Sequence, residues 1–94
     1  MNTYFEIKES TGKIIRTTAS HWELIIRVKH PEIEGKEDEV KRCLSDPFEI
    51  RRSSEDDDVY LYYSPYQKYF LCLVARHLNG KGFIITAYIT DKIK

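Results

Sequence analysis

Gly82-Phe83-Ile84-Ile85-Thr86-Ala87-Tyr88-Ile89-Thr90 is the stretch on which the fold turns. Read at the two-residue period of a strand, it sends Phe83, Ile85, Ala87 and Ile89 to one face and Ile84, Thr86, Tyr88 and Thr90 to the other. The first face is apolar throughout, as a sheet requires where helices cover it. The second carries a row of three hydroxyls. Such a row adds little stability to a small domain, so it marks a place to look for chemistry.

Working outward, Asn79-Gly80 is a strong two-residue hairpin signal. Centring the hairpin there sets residue 78 opposite 81 and 74 opposite 85. Phe70, Cys72 and Val74 then join the apolar face, while Leu73 opposes Thr86, Leu71 opposes Tyr88 and Tyr69 opposes Thr90. Continued through a turn at Ser64-Pro65-Tyr66-Gln67, the same parity puts Val59 and Leu61 on the helix side and Tyr60 and Tyr62 on the open side. Residues 48–53 form a further candidate strand, with Ile50 inward and Arg51 and Ser53 outward. The expected open face therefore collects Arg51, Ser53, Tyr60, Tyr62, Tyr69, Thr86, Tyr88 and Thr90, with no carboxylate among them. Aromatic rings on a sheet can stack nucleobases and an arginine can grip a phosphate in bidentate fashion. The competing reading is structural, since antiparallel sheets routinely expose Tyr and Thr to solvent.

Upstream, residues 4–8 and 13–18 flank Ser10-Thr11-Gly12 and read as a short hairpin with Gly12 in the turn. Ser20-x-x-Glu23 reads as a capping box, with Ser20 as N-cap to an amphipathic run from Trp22 to Val28. Pro31 ends that helix by His30. A second helix over 36–45 follows from the stripe Val40, Cys43 and Leu44, with Pro47 just beyond it. The run Ser54 to Asp58 reads as a solvated acidic loop without EF-hand spacing, or as a surface for a basic partner. Helices grouped before an antiparallel sheet indicate an α+β fold. The expected architecture is an N-terminal hairpin and two helices packed on a four-stranded antiparallel sheet, one domain over residues 1–94. Its core sets Trp22, Ile25, Val40 and Leu44 against Phe70, Cys72, Val74, Ile85 and Ala87.

Ninety-four residues have room for a single core. No apolar stretch approaches the roughly 18 residues of a membrane span, and the N-terminus lacks the basic and apolar regions of a signal peptide. Cys43 and Cys72 are far apart with no zinc-like spacing, which suits buried reduced thiols in a cytoplasmic protein without metal or cofactor. Net charge is zero, but residues 1–30 carry +2, residues 31–58 carry −6 and residues 59–94 carry +4. That distribution leaves room for a basic surface on the C-terminal sheet and argues against indiscriminate binding to nucleic acid.

His21 follows the expected N-cap, where a neutral imidazole can accept a proton from a ribose 2′-OH. His30 reads as a helix end and His77 as part of the last hairpin loop. Arg51 and Arg52 alternate faces, and Arg51 is the one expected at the site. Lys68 and Arg76 fall at strand ends on the apolar face, where they would snorkel to water.

The segments Asp46-Pro47-x-x-Ile50-Arg51-x-Ser53, Tyr62-Tyr63 and Thr86-Ala87-Tyr88, preceded by His21-Trp22 and Lys29-His30-Pro31, resemble the phage and toxin nucleases grouped with barnase, EndoU, certain colicins and RelE. The resemblance spans roughly residues 20–93. It implies a metal-independent ribonuclease, with a cognate antitoxin as partner. It implies catalytic roles for His21, Arg51, Thr86 and Tyr88. Ser53, Tyr60, Tyr62, Tyr69 and Thr90 would then bind RNA. A non-catalytic RNA-binding module and a protein-interaction domain are the alternatives on the same fold.

Overall fold

The computed structural model describes residues 3–93. Strands β1 (Thr3–Lys8) and β2 (Ile14–Thr18) form a hairpin and lead directly into α1 (Ala19–Leu24). The helix continues as a π turn, Ile25–Lys29, closed by the His30 amide on the Ile25 carbonyl at 2.7 Å. A 3₁₀ turn, Pro31–Ile33, precedes α2 (Glu37–Ser45). Strands β3 (Glu49–Arg52), β4 (Val59–Tyr66), β5 (Tyr69–Leu78) and β6 (Lys81–Thr90) complete the chain.

All six strands form one sheet in the order β1-β2-β6-β5-β4-β3. The expectation of a four-stranded antiparallel sheet is therefore corrected: the fold is α+β, but the sheet is six-stranded and mixed. The N-terminal hairpin extends it through a parallel pairing of β2 with β6, Ile14 to Arg16 against Lys81 to Phe83. This pairing joins the two ends of the chain and leaves no local mark in the sequence.

Two other local expectations shift. Thr18, not Ser20, caps α1, because β2 ends on a threonine in extended geometry (φ −93°, ψ 160°) whose hydroxyl accepts the His21 amide at 3.2 Å. The turn between β4 and β5 lies at Gln67-Lys68, with Tyr66 opposite Tyr69, so Pro65 sits within β4. Proline is tolerated there because β3 pairs with β4 only as far as Tyr63, and the missing N–H removes no ladder bond.

A bulge decides the faces. From the Asn79-Gly80 turn, where both residues take positive φ, the ladder runs in the expected register to Ala75 opposite Ile84. It then skips Ile85, so that Val74 opposes Thr86, Leu73 opposes Ala87 and Cys72 opposes Tyr88. Parity inverts at that residue. Ile84, Ala87 and Ile89 fall on the helix side, while Phe83, Thr86, Tyr88 and Thr90 fall on the other.

The core contains Trp22, Ile25, Ile33, Val40, Cys43 and Leu44 packed with Phe5, Ile15, Tyr62, Leu71, Leu73, Ala75, Ile84 and Ala87. The helix side of the expected core stands. On the sheet side only Ala87 does: Phe70, Cys72 and Val74 share the parity of the open face, and Ile85 is the bulged residue. Leu71 to Ala75 is an unbroken apolar run, which carries no alternation to say which parity faces the helices.

Candidate functional site

The cross-strand rows locate the expected site residues that lie on strands. On the helix-covered face, Ile50, Tyr62, Leu73 and Ala87 stand in one row, and Arg52, Tyr60, Ala75 and Ile84 in the next. On the open face the rows are Arg51, Leu61, Val74, Thr86 and Glu49, Tyr63, Cys72, Tyr88. Arg51, Thr86, Tyr88 and Thr90 thus share the open face. Tyr60, Tyr62 and Tyr69 do not, which corrects their expected placement, and Glu49 supplies a carboxylate where none was expected.

The residues that share the face do not converge. Arg51 and Thr86 are separated by three strand spacings, roughly 14 Å at about 4.8 Å each. Arg51 is exposed and pairs with Glu49. Ser53 turns its hydroxyl to the Glu55 amide at 3.1 Å and caps the following loop. Tyr88 packs its ring against His30, 5.5 Å between centroids, and burial together with a hydrogen bond involving Cys72 pushes its phenol far above the usual range. A phenol so held stays neutral and is a poor base. Thr86 buries its hydroxyl without a hydrogen-bond partner, and Thr90 donates to the Lys92 carbonyl at 3.3 Å.

What assembles instead is a cleft where β2 leaves the edge of β6. Beyond Phe83 the parallel pairing stops, β2 runs into α1, and His21 on that helix reaches the edge of β6 that β2 no longer pairs. The His21 ring bonds there, through Nε2 at 2.9 Å, to the carbonyl of the bulged Ile85. A carbonyl only accepts, so Nε2 carries the hydrogen and Nδ1 is the nitrogen left for chemistry. The cleft has a volume of about 500 Å³ and is lined by Arg16, His21 and Phe83 with Thr3, Thr17 and Thr18. Arg16 stands opposite Phe83 in the β2–β6 register. Of the arginines on this face, Arg51 is paired with Glu49 and Arg76 with Asp56 at 2.8 Å, whereas Arg16 makes no ion pair among the described residues. The ion pair of Arg76, on the open face, also takes the place of the snorkelling expected for it, and engages the acidic loop.

His21 was legible in the sequence; Arg16, Thr18 and Phe83 were not. Alternation within Ile15-Arg16-Thr17 turns Arg16 outward, but only the pairing with β6 gives it a neighbour.

A second polar constellation lies beneath the sheet. Glu9, 2% exposed, accepts the amides of Thr11 and Lys13 at 2.8 and 2.9 Å and the Thr11 hydroxyl, and so closes the turn of the first hairpin. Its other oxygen meets the Tyr62 hydroxyl at 2.6 Å, which also lies 2.6 Å from His77 Nε2. Tyr60 stacks on His77 at 4.0 Å and receives Arg52 on its hydroxyl. His77 is thus a buried strand residue, not part of a loop. Burial, aided by Lys13, lowers its pKa against the opposing pull of Glu9 and Asp58. For Glu9, burial pushes the carboxyl up, but the hydrogen bonds from Thr11, Tyr62 and the turn amides outweigh it and hold the group below the usual range.

These features define an α+β protein with a cationic, hydroxyl-rich cleft at a sheet edge. Comparison of the chain with family models, curated proteins and solved structures finds no significant match. Among the described residues no helix is long and apolar enough to cross a membrane.

Proposed function

We propose that this chain is an endoribonuclease acting in the cleft between β2 and β6, without a metal ion. The observation that carries the reading is His21. Its Nε2 is committed to the Ile85 carbonyl, and it lines the same cleft as Arg16, a guanidinium with no ion-pair partner among the described residues. Among the described residues the lining contains no carboxylate to hold a cation. A phosphodiester seated on Arg16 has its charge balanced there, and the balance grows as the phosphorane forms. His21 Nδ1 takes the proton of the 2′-OH as the new 2′-oxygen–phosphorus bond forms. The 5′-oxygen–phosphorus bond breaks and the leaving oxygen takes a proton from solvent. The products are a 2′,3′-cyclic phosphate and a 5′-hydroxyl end. Phe83, 39% exposed, offers a ring for a flanking base.

The resemblance to the barnase, EndoU, colicin and RelE group supports this reading, with the cationic role moved from Arg51 to Arg16. It also carries the toxin assignment, a cytoplasmic site of action and restraint by a cognate antitoxin. A second reading is an RNA-binding module that does not cleave. It is favoured by the lining of the cleft, which among the described residues holds no titratable group beyond His21 and Arg16.

Incubating the protein with a mixed RNA pool in EDTA tests the proposal. Fragments ending in 2′,3′-cyclic phosphate are expected, with none from His21→Ala or Arg16→Ala. Cleavage of all-deoxy strands at the same rate, or full activity in both variants, overturns it. Retention of RNA without cleavage supports the second reading.

A further inference from the structure

Arg16, Phe83 and Arg76 stand side by side in one open-face row, on β2, β6 and β5. The two arginines are two strand spacings apart, roughly 10 Å at about 4.8 Å each, with Phe83 between them. The next row along the same face sets Lys8 and Lys81 on either side of Ile14. This corner of the sheet thus places Lys8, Arg16, Arg76 and Lys81 against the carboxylates of Glu6 and Asp56. Glu6 stands opposite Arg16 in the β1–β2 register, with no ion pair between them. Asp56 reaches in from the loop between β3 and β4 and holds Arg76, Oδ2 to Nη2 at 2.8 Å.

Resting on the reading of the adjoining cleft as an RNA site, we propose that Arg76 is a second phosphate subsite, masked by Asp56 until a strand displaces that carboxylate. A nucleotide whose base lies on Phe83 has one phosphate on each side of that base, and the row provides one arginine on each side of the ring. Such a base is unstacked from its neighbours, so the strand that fits is single. Asp56 engages one nitrogen of the guanidinium, whereas a phosphate takes the planar fork in bidentate fashion. The ion pair is partly exposed, 33% and 40% on its two side chains, and pairs of that kind are weak enough for a ligand to break. The acidic loop is then a built-in competitor, which holds back anions in general and yields to a strand that also stacks on Phe83.

The probe is a fluorescein-labelled 2′-O-methyl oligonucleotide, which keeps phosphates and bases but has no 2′-OH to react, so anisotropy reads binding apart from cleavage. Asp56→Asn removes the charge and keeps the Oδ1 that accepts the Asp58 amide at 3.0 Å. It should tighten binding about two- to fivefold, the scale of a partly exposed ion pair. It should also steepen log K against log salt by about 0.7, one further phosphate contact on a single strand. Asp57→Asn, equal in charge but outside the Arg76 ion pair, should leave the slope unchanged. Arg76→Gln should erase the gain from Asp56→Asn, with thermal melts showing each variant folded. Equal effects of the two aspartate variants, or a gain that survives Arg76→Gln, overturns the proposal. So does equal binding of a poly-glutamate peptide of the same charge, or no binding by the parent and Asp56→Asn alike. The expected pattern without cleavage of the matching ribo strand supports the subsite and overturns the nuclease reading instead.

Discussion

The hydroxyl of Tyr62 on β4 donates to the Glu9 carboxylate at 2.6 Å, across 53 residues of sequence. The phenol has one proton, and an ionised carboxylate can only accept it. His77, also 2.6 Å from that oxygen, must therefore donate through Nε2, which leaves its buried Nδ1 without a partner. The network runs from His77 through Tyr62 to Glu9, and ties the first hairpin to the centre of the sheet.

Tyr62→Phe removes the shared member and leaves a buried carboxylate oxygen and an imidazole N–H unpaired. A loss of about 3 kcal/mol is expected, since each orphaned buried group costs roughly 1–3 kcal/mol. Urea unfolding measures it. A variant as stable as the parent would show that the network contributes nothing to folding.

Stability should fall with acid, starting near neutrality. His77 has a folded pKa below its ordinary value of about 6.5. Below that pH the unfolded chain binds a proton that the folded one refuses, so stability is lost as pH falls from about 6.5 toward the folded value. Glu9 acts in the same direction at lower pH. Its folded pKa is depressed, so its contribution is present above about 4.3 and is lost as pH falls through the folded value. Melting temperature between pH 7.5 and 5 should decline, and decline less in His77→Gln.

Gly82→Ala should destabilise by at least about 2 kcal/mol, toward the upper end of overpacking costs. A Cβ there would lie 2.0 Å from the Arg76 carbonyl oxygen and 3.1 Å from Ile15 Cδ1. Backbone cannot yield as a flexible side chain does. Calorimetry that found the variant unperturbed would contradict the close approach of β5 to β6.

Core truncations should separate the two faces of the sheet. Leu73→Ala, at a position with no exposed area, is expected to cost about 2–5 kcal/mol. Ile85→Ala, at the half-buried bulge, should cost clearly less. The reverse order would restore the unbulged register.

If the protein cleaves RNA, Arg16→Ala should lower turnover more than tenfold, because a charge-assisted contact to the transition state is worth at least about 1.4 kcal/mol. Arg51→Ala should leave turnover within about twofold, that side chain being three strands away. Initial rates on one defined oligonucleotide decide between them.

Local signals in the chain were enough for the first hairpin around Gly12, for α2 and for the Asn79-Gly80 turn. Each of these depends on neighbours within a few residues: a positive φ, an apolar stripe, a proline beyond a helix end. The apolar faces of Trp22, Ile25, Val40 and Leu44 were legible for the same reason. His21 could be singled out because it follows the expected cap at a helix start.

The faces of the sheet and the composition of the cleft were decided only in three dimensions. The run Leu71 to Ala75 is apolar at every position, so both parities bury well and neither can be preferred from the sequence. One bulged residue, Ile85, then turns Phe83 outward and Ile84 inward, and no residue type obliges a strand to bulge there. The parallel pairing of β2 with β6 brings Arg16 to Phe83 from opposite ends of the chain. Strand pairing is made by backbone groups that every residue shares, so the side chains that pairing brings together stay hidden until the chain is folded.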